Sequence, residues 1–441
     1  MKVLKFGGTS VGTPERMNHV ASLITESNEP KIVVLSAVSG TTNKLVKFTE
    51  MLAEGNKEQS GQLVDELFNS YMIFVKELNQ VSTFYDKGIA IINEHFDFLK
   101  AQIEKEYTVQ VEREVLAQGE LISTKLFFNK LKEKGIDSSL LMALDFMRID
   151  KNGEPQVEKI REKLAAIISN NPSNLYITQG FICQNERGEI DNLKRGGSDY
   201  SATIIGAAVR GSEVQIWTDI DGMHNNDPRL VEKTFPIAKL SFDEAAELSY
   251  FGAKILHPAS IWPAQKFNVP VRLKNTMQPD AKGTYISNET TNDDIKAIAA
   301  KDGITAIKIK SSRMILAYGF LRQVFEIFEK YKTSIDMITT SEVAVSLTID
   351  DDEYLPAIVK ELQKYGMVEV DKTQTIVCVV GSQVSDNKGV VRKLFDTLDQ
   401  IPIRMISFGG SKNNISLLVD TKYKKPVLER LNIGLFSADL I

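Results

Sequence analysis

A short apolar strand, Val3 to Phe6, carries Lys5 at its end and runs directly into Gly7, Gly8, Thr9 and Ser10. A cation at a strand end, next to glycines with no Cβ in the way, lets backbone N–H groups turn toward an oxyanion, so this stretch suits a phosphate chain. It is not a Walker A loop: Gly7 to Gly12 has that glycine spacing, but Thr13 stands where the lysine belongs. A second double-glycine turn follows at Arg195-Gly196-Gly197-Ser198-Asp199-Tyr200. Arg195 can grip a carboxylate through two parallel hydrogen bonds and Asp199 can receive an ammonium group, a combination suited to a zwitterion. The alternative is that Arg195 and Asp199 pair with each other across the turn. Ser198 or Asp199 is placed to cap the helix that the next residues predict.

A third group, Trp217-Thr218-Asp219 through Asp227-Pro228-Arg229, leaves a strand for a loop dense in hydrogen-bonding groups. Such a loop can hold a ribose, a purine and a polyphosphate, or it can be a surface turn rich in Asx motifs. Ser241 to Glu244 forms a capping box for a helix ending near Phe251-Gly252-Ala253-Lys254, where Lys254 serves either phosphates or the helix carboxyl end. His257, before Pro258, reads as structural, since no Cys or second His is spaced to share a metal. The chain carries no GxSxG elbow, no Cys/His arrangement and no HExxH. Lysines, arginines, carboxylates and glycine turns are the set that phosphoryl transfer uses, because its catalysis is mostly positioning and electrostatic stabilisation.

These groups need a scaffold of strands ending in turns. Thr13-Pro14-Glu15 supplies an N-cap, a first-turn proline and an early acid, predicting a helix with Met17, Val20, Ala21 and Ile24 on one face. Lys31 to Ser39 is a second apolar strand, ending at Gly40 and leading to a helix over 44–52. Residues 57–134 are almost free of breakers and have helical periodicity; further strands are expected at 138–143, 175–182, 214–217 and 270–273. Alternating strands and helices predict a parallel or mixed α/β sheet that binds ligands beyond the carboxyl ends of its strands. The polar, acidic run 288–294 then reads as a linker to a duplicated tail. One copy has a strand at 304–311, a helix at 319–331, a strand at 343–349 and a helix at 353–365. The other has a strand at 375–382, a helix at 388–399, a strand at 414–420 and a helix at 423–431.

The 441 residues, 43% hydrophobic and 25% charged, predict a globular protein of two or three domains. A net charge of −5, without any long Lys/Arg run, argues against a nucleic-acid binder. Cys183 and Cys378 lack metal-ligand spacing and read as reduced, buried thiols. The first strand begins at Met1-Lys2-Val3 and no apolar run approaches membrane length, so a cytoplasmic protein without a membrane contact is expected.

In this order, KFGGTS (5–10), Gly119-Glu120-Leu121-Ile122-Ser123-Thr124, RGGSDY (195–200), WTD (217–219), DPR (227–229) and FGAK to LHP (251–258) resemble aspartokinase over nearly the whole chain. The resemblance implies an amino-acid kinase fold, a mostly parallel sheet sandwiched by helices, followed by two ACT domains of α+β, ferredoxin-like form. It implies boundaries of 1–290, 291–370 and 371–441, the last completed by a strand near 295–302. It implies transfer of the ATP γ-phosphoryl to the β-carboxylate of L-aspartate, with Mg²⁺ arriving on ATP and holding its phosphate oxygens, and no metal-binding residue is assigned. By resemblance Lys5 and Asp199 are catalytic; Lys5, Gly7, Gly8, Thr9, Ser10, Thr218, Asp219, Arg229 and Lys254 bind ATP; Thr42, Glu120, Arg195, Ser198 and Asp199 bind aspartate. Met314, Gly319, Ser334, Asp336, Ser341 and Glu342 resemble the effector site of lysine-sensitive members, with threonine as the other candidate effector. A homodimer through the ACT domains, or a tetramer, is implied as well. Lys194, Asp221 and His224 depart from the family pattern, as do Ala317 and Tyr318 before Gly319.

Overall fold

The computed structural model describes residues 1–193, 196–252, 256–289, 295–311, 318–387 and 389–436. The chain forms two compact units, Met1–Met223 with Leu256–Glu289, and His224–Ile255 with Thr290–Ile441. The first unit begins with β1 (Lys2–Phe6), α1 (Pro14–Thr25), β2 (Lys31–Leu35), α2 (Thr41–Ala53), α3 (Lys57–Leu78), α4 (Ser82–Gln102) and α5 (Val109–Glu133). It continues with β3 (Ser139–Leu141), α6 (Ala143–Phe146), α7 (Val157–Asn170), β4 (Leu175–Gln179), β5 (Ile182–Gln184), β6 (Ile190–Asn192), α8 (Gly197–Ala208) and β7 (Glu213–Thr218). The second unit takes β8 (Lys239–Ser241) and α9 (Phe242–Tyr250), after which α10 (Pro258–Lys266), β9 (Val271–Asn275) and β10 (Thr284–Ser287) return to the first. The rest of the second unit is β11 (Ile295–Lys310), α11 (Phe320–Lys330), β12 (Ile338–Thr340), β13 (Ala344–Ile349), α12 (Leu355–Leu362), β14 (Met367–Gly381), α13 (Val390–Thr397), β15 (Met405–Phe408), β16 (Asn414–Asp420) and α14 (Lys424–Phe436).

Within the first unit the strands run in the order β3-β4-β2-β1-β7-β9-β10, parallel from β3 to β9. Beyond them β10 pairs antiparallel to its neighbour β9, and β5 and β6 form a separate antiparallel pair. The register aligns Phe6 with Leu35 and Trp217, and Leu35 with Gln179, so the turns after β1, β2, β4 and β7 leave the same edge of the sheet. Parallel strands buried on both faces read as continuous apolar runs, and Lys31–Leu35 and Leu175–Gln179 are buried at every position. The helices expected over 57–134 are α3, α4 and α5, whose Leu67, Tyr71, Phe96 and Val115 pack in one cluster with Phe6 and Leu35. Thr13 caps α1 by accepting from the Arg16 N–H, with Pro14 as the first helical residue. The second helix starts at Thr41, three residues before the expected position, because Gly40 takes a left-handed φ of 81° and turns the chain there.

The second unit holds a sheet in the order β12-β13-β11-β14-β16-β15. Its two long central strands serve both halves: Thr305–Lys310 of β11 pairs with β13 and Ile304–Lys310 with the first part of β14, while Ile295–Lys301 pairs with Ile376–Gly381. The two cores repeat the same plan. Val324, Ile327 and Phe328 of α11 cover Ile307, Val345 and Leu347, and Leu394, Leu428 and Leu431 cover Val377, Val379 and Leu417. Among the described residues no helix is long and apolar enough to cross a membrane.

Candidate active site

The turn after β1 is closed from within. The Ser10 and Val11 N–H groups donate to the Gly7 carbonyl at 2.9 and 3.3 Å, and the Gly7 N–H donates to the Trp217 carbonyl at 3.4 Å. Arg16, on α1, donates to the Thr9 carbonyl at 2.8 Å. Sequence reasoning gave the whole turn to an anion; the geometry commits the Gly7 and Ser10 amides to the protein and leaves Gly8 and Thr9 facing a cavity of about 380 Å³. That cavity lies at the common strand edge, lined by Gly8, Thr9, Ser36 to Gly40, Thr42, Asn43, Glu120, Phe181, Gly197 and Ser198.

Glu120 reaches the cavity from α5, a helix whose central polar residues are buried with its apolar ones. Each polar residue there has a partner. The Ser123 hydroxyl donates to the Ser36 carbonyl at 2.7 Å, and Thr124 Oγ1 accepts from Gln179 Nε2 at 2.8 Å. Gln179 in turn accepts from the Ala143 N–H. Gly119 lets this helix approach the loop after β2 closely, since a Cβ there would lie 2.9 Å from the Ala37 Cβ. The same approach brings the Ala37 N–H to Glu120 Oε1 at 3.2 Å, while Oε2 is buried without a hydrogen-bond partner among the described residues. Burial raises the Glu120 pKa to about 8, against the smaller opposing effects of the Ala37 N–H and the Lys5 charge.

Lys5 Nζ lies 2.6 Å from Asp199 Oδ1, with side chains 12% and 14% exposed. Asp199 therefore has a cationic partner from β1, whichever way Arg195 turns; Arg195 itself lies outside the described residues. Neither Ser198 nor Asp199 caps α8. Gly196 is the N-cap, held at a φ of 75° that side chains rarely adopt, without a side-chain cap bond, which frees Ser198 to line the cavity. Thr218 and Asp219 stand at the end of β7 and are joined by a 3.1 Å hydrogen bond. Arg229 belongs to the second unit, is largely exposed, and grips Asp227 with its Nε and Nη2 at 2.9 and 2.8 Å. Lys254 lies outside the described residues. His257 has the structural role read from sequence: its Nδ1 accepts from the Ala259 N–H and caps α10. Ser241 and Glu244 form the expected capping box. The residues missed from sequence are those of the loop after β2 together with Phe181; a polar turn between a strand and a helix was the available signal.

In the second unit, Gly319 caps α11 at a φ of 86°, Ser334 and Glu342 are exposed, and Ser341 bonds to Ala344 in the turn between β12 and β13. Met314 lies outside the described residues. Asp336 differs from expectation: its side chain is buried, accepting from the Tyr250 hydroxyl at 2.7 Å and pairing with Lys301 at 3.1 Å. Cys183 and Cys378 are buried free thiols, and burial pushes the Cys183 pKa up to about 12.

A glycine turn, a lysine and buried carboxylates at the carboxyl edge of a parallel sheet, followed by duplicated α+β units, define an amino acid kinase with a regulatory tail. Residues 1–275 match the amino acid kinase family and residues 377–433 match an ACT domain. The lysine-sensitive aspartokinase 3 of Escherichia coli (strain K12) is 34% identical over 99% of both chains. The chloroplastic aspartokinase 3 of Arabidopsis thaliana is 35% identical over 99% of this chain and 82% of its own. The crystal structure of E. coli aspartokinase III with aspartate and ADP superposes with a TM-score of 0.83 at 33% identity, covering 99% of this chain and 100% of that one. The chain belongs to the aspartokinase family.

Proposed function

We propose that this aspartate kinase transfers the γ-phosphoryl group of ATP to the β-carboxylate of L-aspartate, giving 4-phospho-L-aspartate, the first step toward lysine, threonine and methionine. The observation that carries the reading is Glu120, a buried carboxylate with one unpartnered oxygen in a cavity beside the Gly8–Thr9 turn. In that cavity an ammonium group satisfies Glu120 and the turn meets phosphate oxygens. Thr42 and Ser198 complete the aspartate pocket, with Asp199 beside it and Arg195 assigned to the α-carboxylate. Lys5 neutralises the moving phosphoryl, while Thr218, Asp219, Arg229 and Lys254 serve the nucleotide.

The β-carboxylate is already ionised at neutral pH, so no general base is required. One of its oxygens attacks the γ-phosphorus in line, the bond from that phosphorus to the β,γ-bridging oxygen breaks, and ADP leaves with the electron pair. Mg²⁺ is expected to arrive with ATP, held by its phosphate oxygens.

The regulatory reading assigns 1–290 to catalysis and 291–370 and 371–441 to two ACT domains, with the strand at 295–302 completing the second. Lysine is the proposed feedback effector, supported by the name of the E. coli relative and by the exposed acid Glu342. A homodimer through the ACT domains is proposed with it. Hydroxylamine trapping of the acyl phosphate, with ATP and either aspartate or glutamate, tests the reaction. Hydroxamate from aspartate is expected; formation only from glutamate, or ATP binding without any hydroxamate, overturns it. Repeating the assay with lysine and with threonine tests the effector.

A further inference from the structure

Thr276, just beyond the end of β9, is buried at 2% exposure and was not a candidate from sequence. It makes three hydrogen bonds to three separate parts of the first unit. Its hydroxyl meets the Ser10 hydroxyl at 2.7 Å, its N–H donates to the Thr218 carbonyl at 2.7 Å, and its carbonyl accepts from His19 Nε2 at 2.8 Å. One residue thus ties the glycine turn, the end of β7 and the flank of α1 to a single point. Ser10, only 3% exposed, spends its hydroxyl on this bond and is absent from the cavity wall that Gly8 and Thr9 form.

We propose that Thr276 is a positioning residue for phosphoryl transfer, acting through Ser10 to hold the Gly7–Ser10 turn in register with the end of β7. The proposal rests on the reading of this turn as the phosphate site, and it changes the role of Ser10 from phosphate ligand to anchor. The turn has few other ties. Arg16 fixes its Thr9 carbonyl, and the Gly7 N–H reaches Trp217 at the long distance of 3.4 Å, so the hydroxyl pair limits how far the turn can tilt. Loss of one buried hydrogen bond shifts an equilibrium by about tenfold, and a tilted turn expresses that shift in its phosphate ligand first.

The test compares Thr276→Val, which keeps the backbone bonds and the side-chain shape, with Thr276→Ser, Ser10→Ala and the double variant Ser10→Ala/Thr276→Val. For each, calorimetric affinity for Mg-ATP, the KM for both substrates and the melting temperature are measured. The expected result for Thr276→Val and for Ser10→Ala is an ATP affinity about tenfold weaker, an aspartate KM within about twofold of the parent, and a double variant no worse than either single one. Thr276→Ser is expected to restore ATP affinity. Equal rises in both KM values that follow a lowered melting temperature, additive losses in the double variant, or unchanged ATP affinity would each overturn the proposal. The calorimetric arm does not depend on turnover. A parent protein that binds ATP without phosphorylating aspartate therefore refutes the acceptor assignment, while the Thr276 comparison still decides its own case.

Discussion

Lys5 and Asp199 form an ion pair at 2.6 Å between the central strand and the first turn of α8, with both side chains largely withdrawn from water. A pair so shielded is more than surface charge, yet it leaves the ammonium group with hydrogen-bonding capacity for a phosphoryl oxygen. Lys5→Ala is expected to lower kcat by about 10² to 10³, the scale for losing one electrostatic stabiliser. Steady-state turnover of a folded variant checks it, and an unchanged kcat removes Lys5 from the chemistry.

The raised Glu120 pKa has a definite sign in binding and in stability. At neutral pH the free enzyme holds this carboxyl largely protonated, whereas an ammonium ligand requires the carboxylate, so aspartate binding should release a proton. The kcat/KM for aspartate should therefore climb with pH and level off above about 8, the pKa of the free enzyme's group. Glu120→Gln should flatten that limb and raise the aspartate KM. For folding, the native state keeps this proton between the ordinary value of 4.5 and about 8 while the unfolded chain does not. The contribution of Glu120 to stability is thus fully present below 4.5 and is lost as pH rises through 8. Proton release measured by calorimetry in buffers of different ionisation enthalpy is the direct check; none at pH 7 sinks the prediction.

The parts of this site legible in the sequence are those whose chemistry is local. Lys5 with Gly7 and Gly8, or Gly196 with Gly197 ahead of a helix, announce a turn with a purpose because neighbouring residues build it. Thr276 carries no such mark, since its partners Ser10 and Thr218 meet it only when β1, β7 and β9 lie side by side. The same holds for Ser123 and Thr124, which are motif residues but bind Ser36 and Gln179 rather than a ligand. The duplicated tail was legible as strands and helices of repeating order. That its two longest strands cross both halves was not, because pairing partners are absent from periodicity.

Asp336 was read as an acid awaiting a ligand, and it is already engaged within the second unit. Lys301 pairs with both Asp336 and Asp350, at 3.1 and 2.7 Å, and lies over the Tyr250 ring, 4.3 Å from its centroid. Burial raises the Asp336 pKa, against the lowering effects of the Tyr250 hydrogen bond and the Lys301 charge. Asp336 Oδ2 has no hydrogen-bond partner among the described residues, so Tyr250→Phe removes a donor the buried carboxylate can ill spare. The variant should lose about 1 to 3 kcal/mol of stability. Because Tyr250 ends α9 immediately before the Phe251 to Lys254 motif, it should also change the concentration of the proposed effector, lysine, needed for half inhibition. Denaturant midpoints and inhibition curves check the two halves separately, and an unchanged inhibition curve would refute a link between Asp336 and the effector.

Gly119 offers the sharpest test of how the cavity is held open. A methyl group at this position would sit 2.9 Å from the Ala37 Cβ and 3.4 Å from Leu45, in a helix that cannot retreat because Ser123 and Thr124 are bonded on the same side. The loop after β2 must yield instead, and the Ala37 N–H moves away from Glu120. Helix propensity favours alanine over glycine by about 1 kcal/mol, and overpacking costs about 1 to 3 kcal/mol, so Gly119→Ala should be mildly destabilised at most. Its aspartate KM should rise well beyond what that stability change accounts for, and the pH at which kcat/KM levels off should move upward, because Glu120 has lost an N–H that favoured its charged form. Kinetics across pH 6 to 9 beside thermal melts of the same variant separate the two effects; an aspartate KM equal to the parent's would show that Ala37 does not need this close approach to shape the pocket.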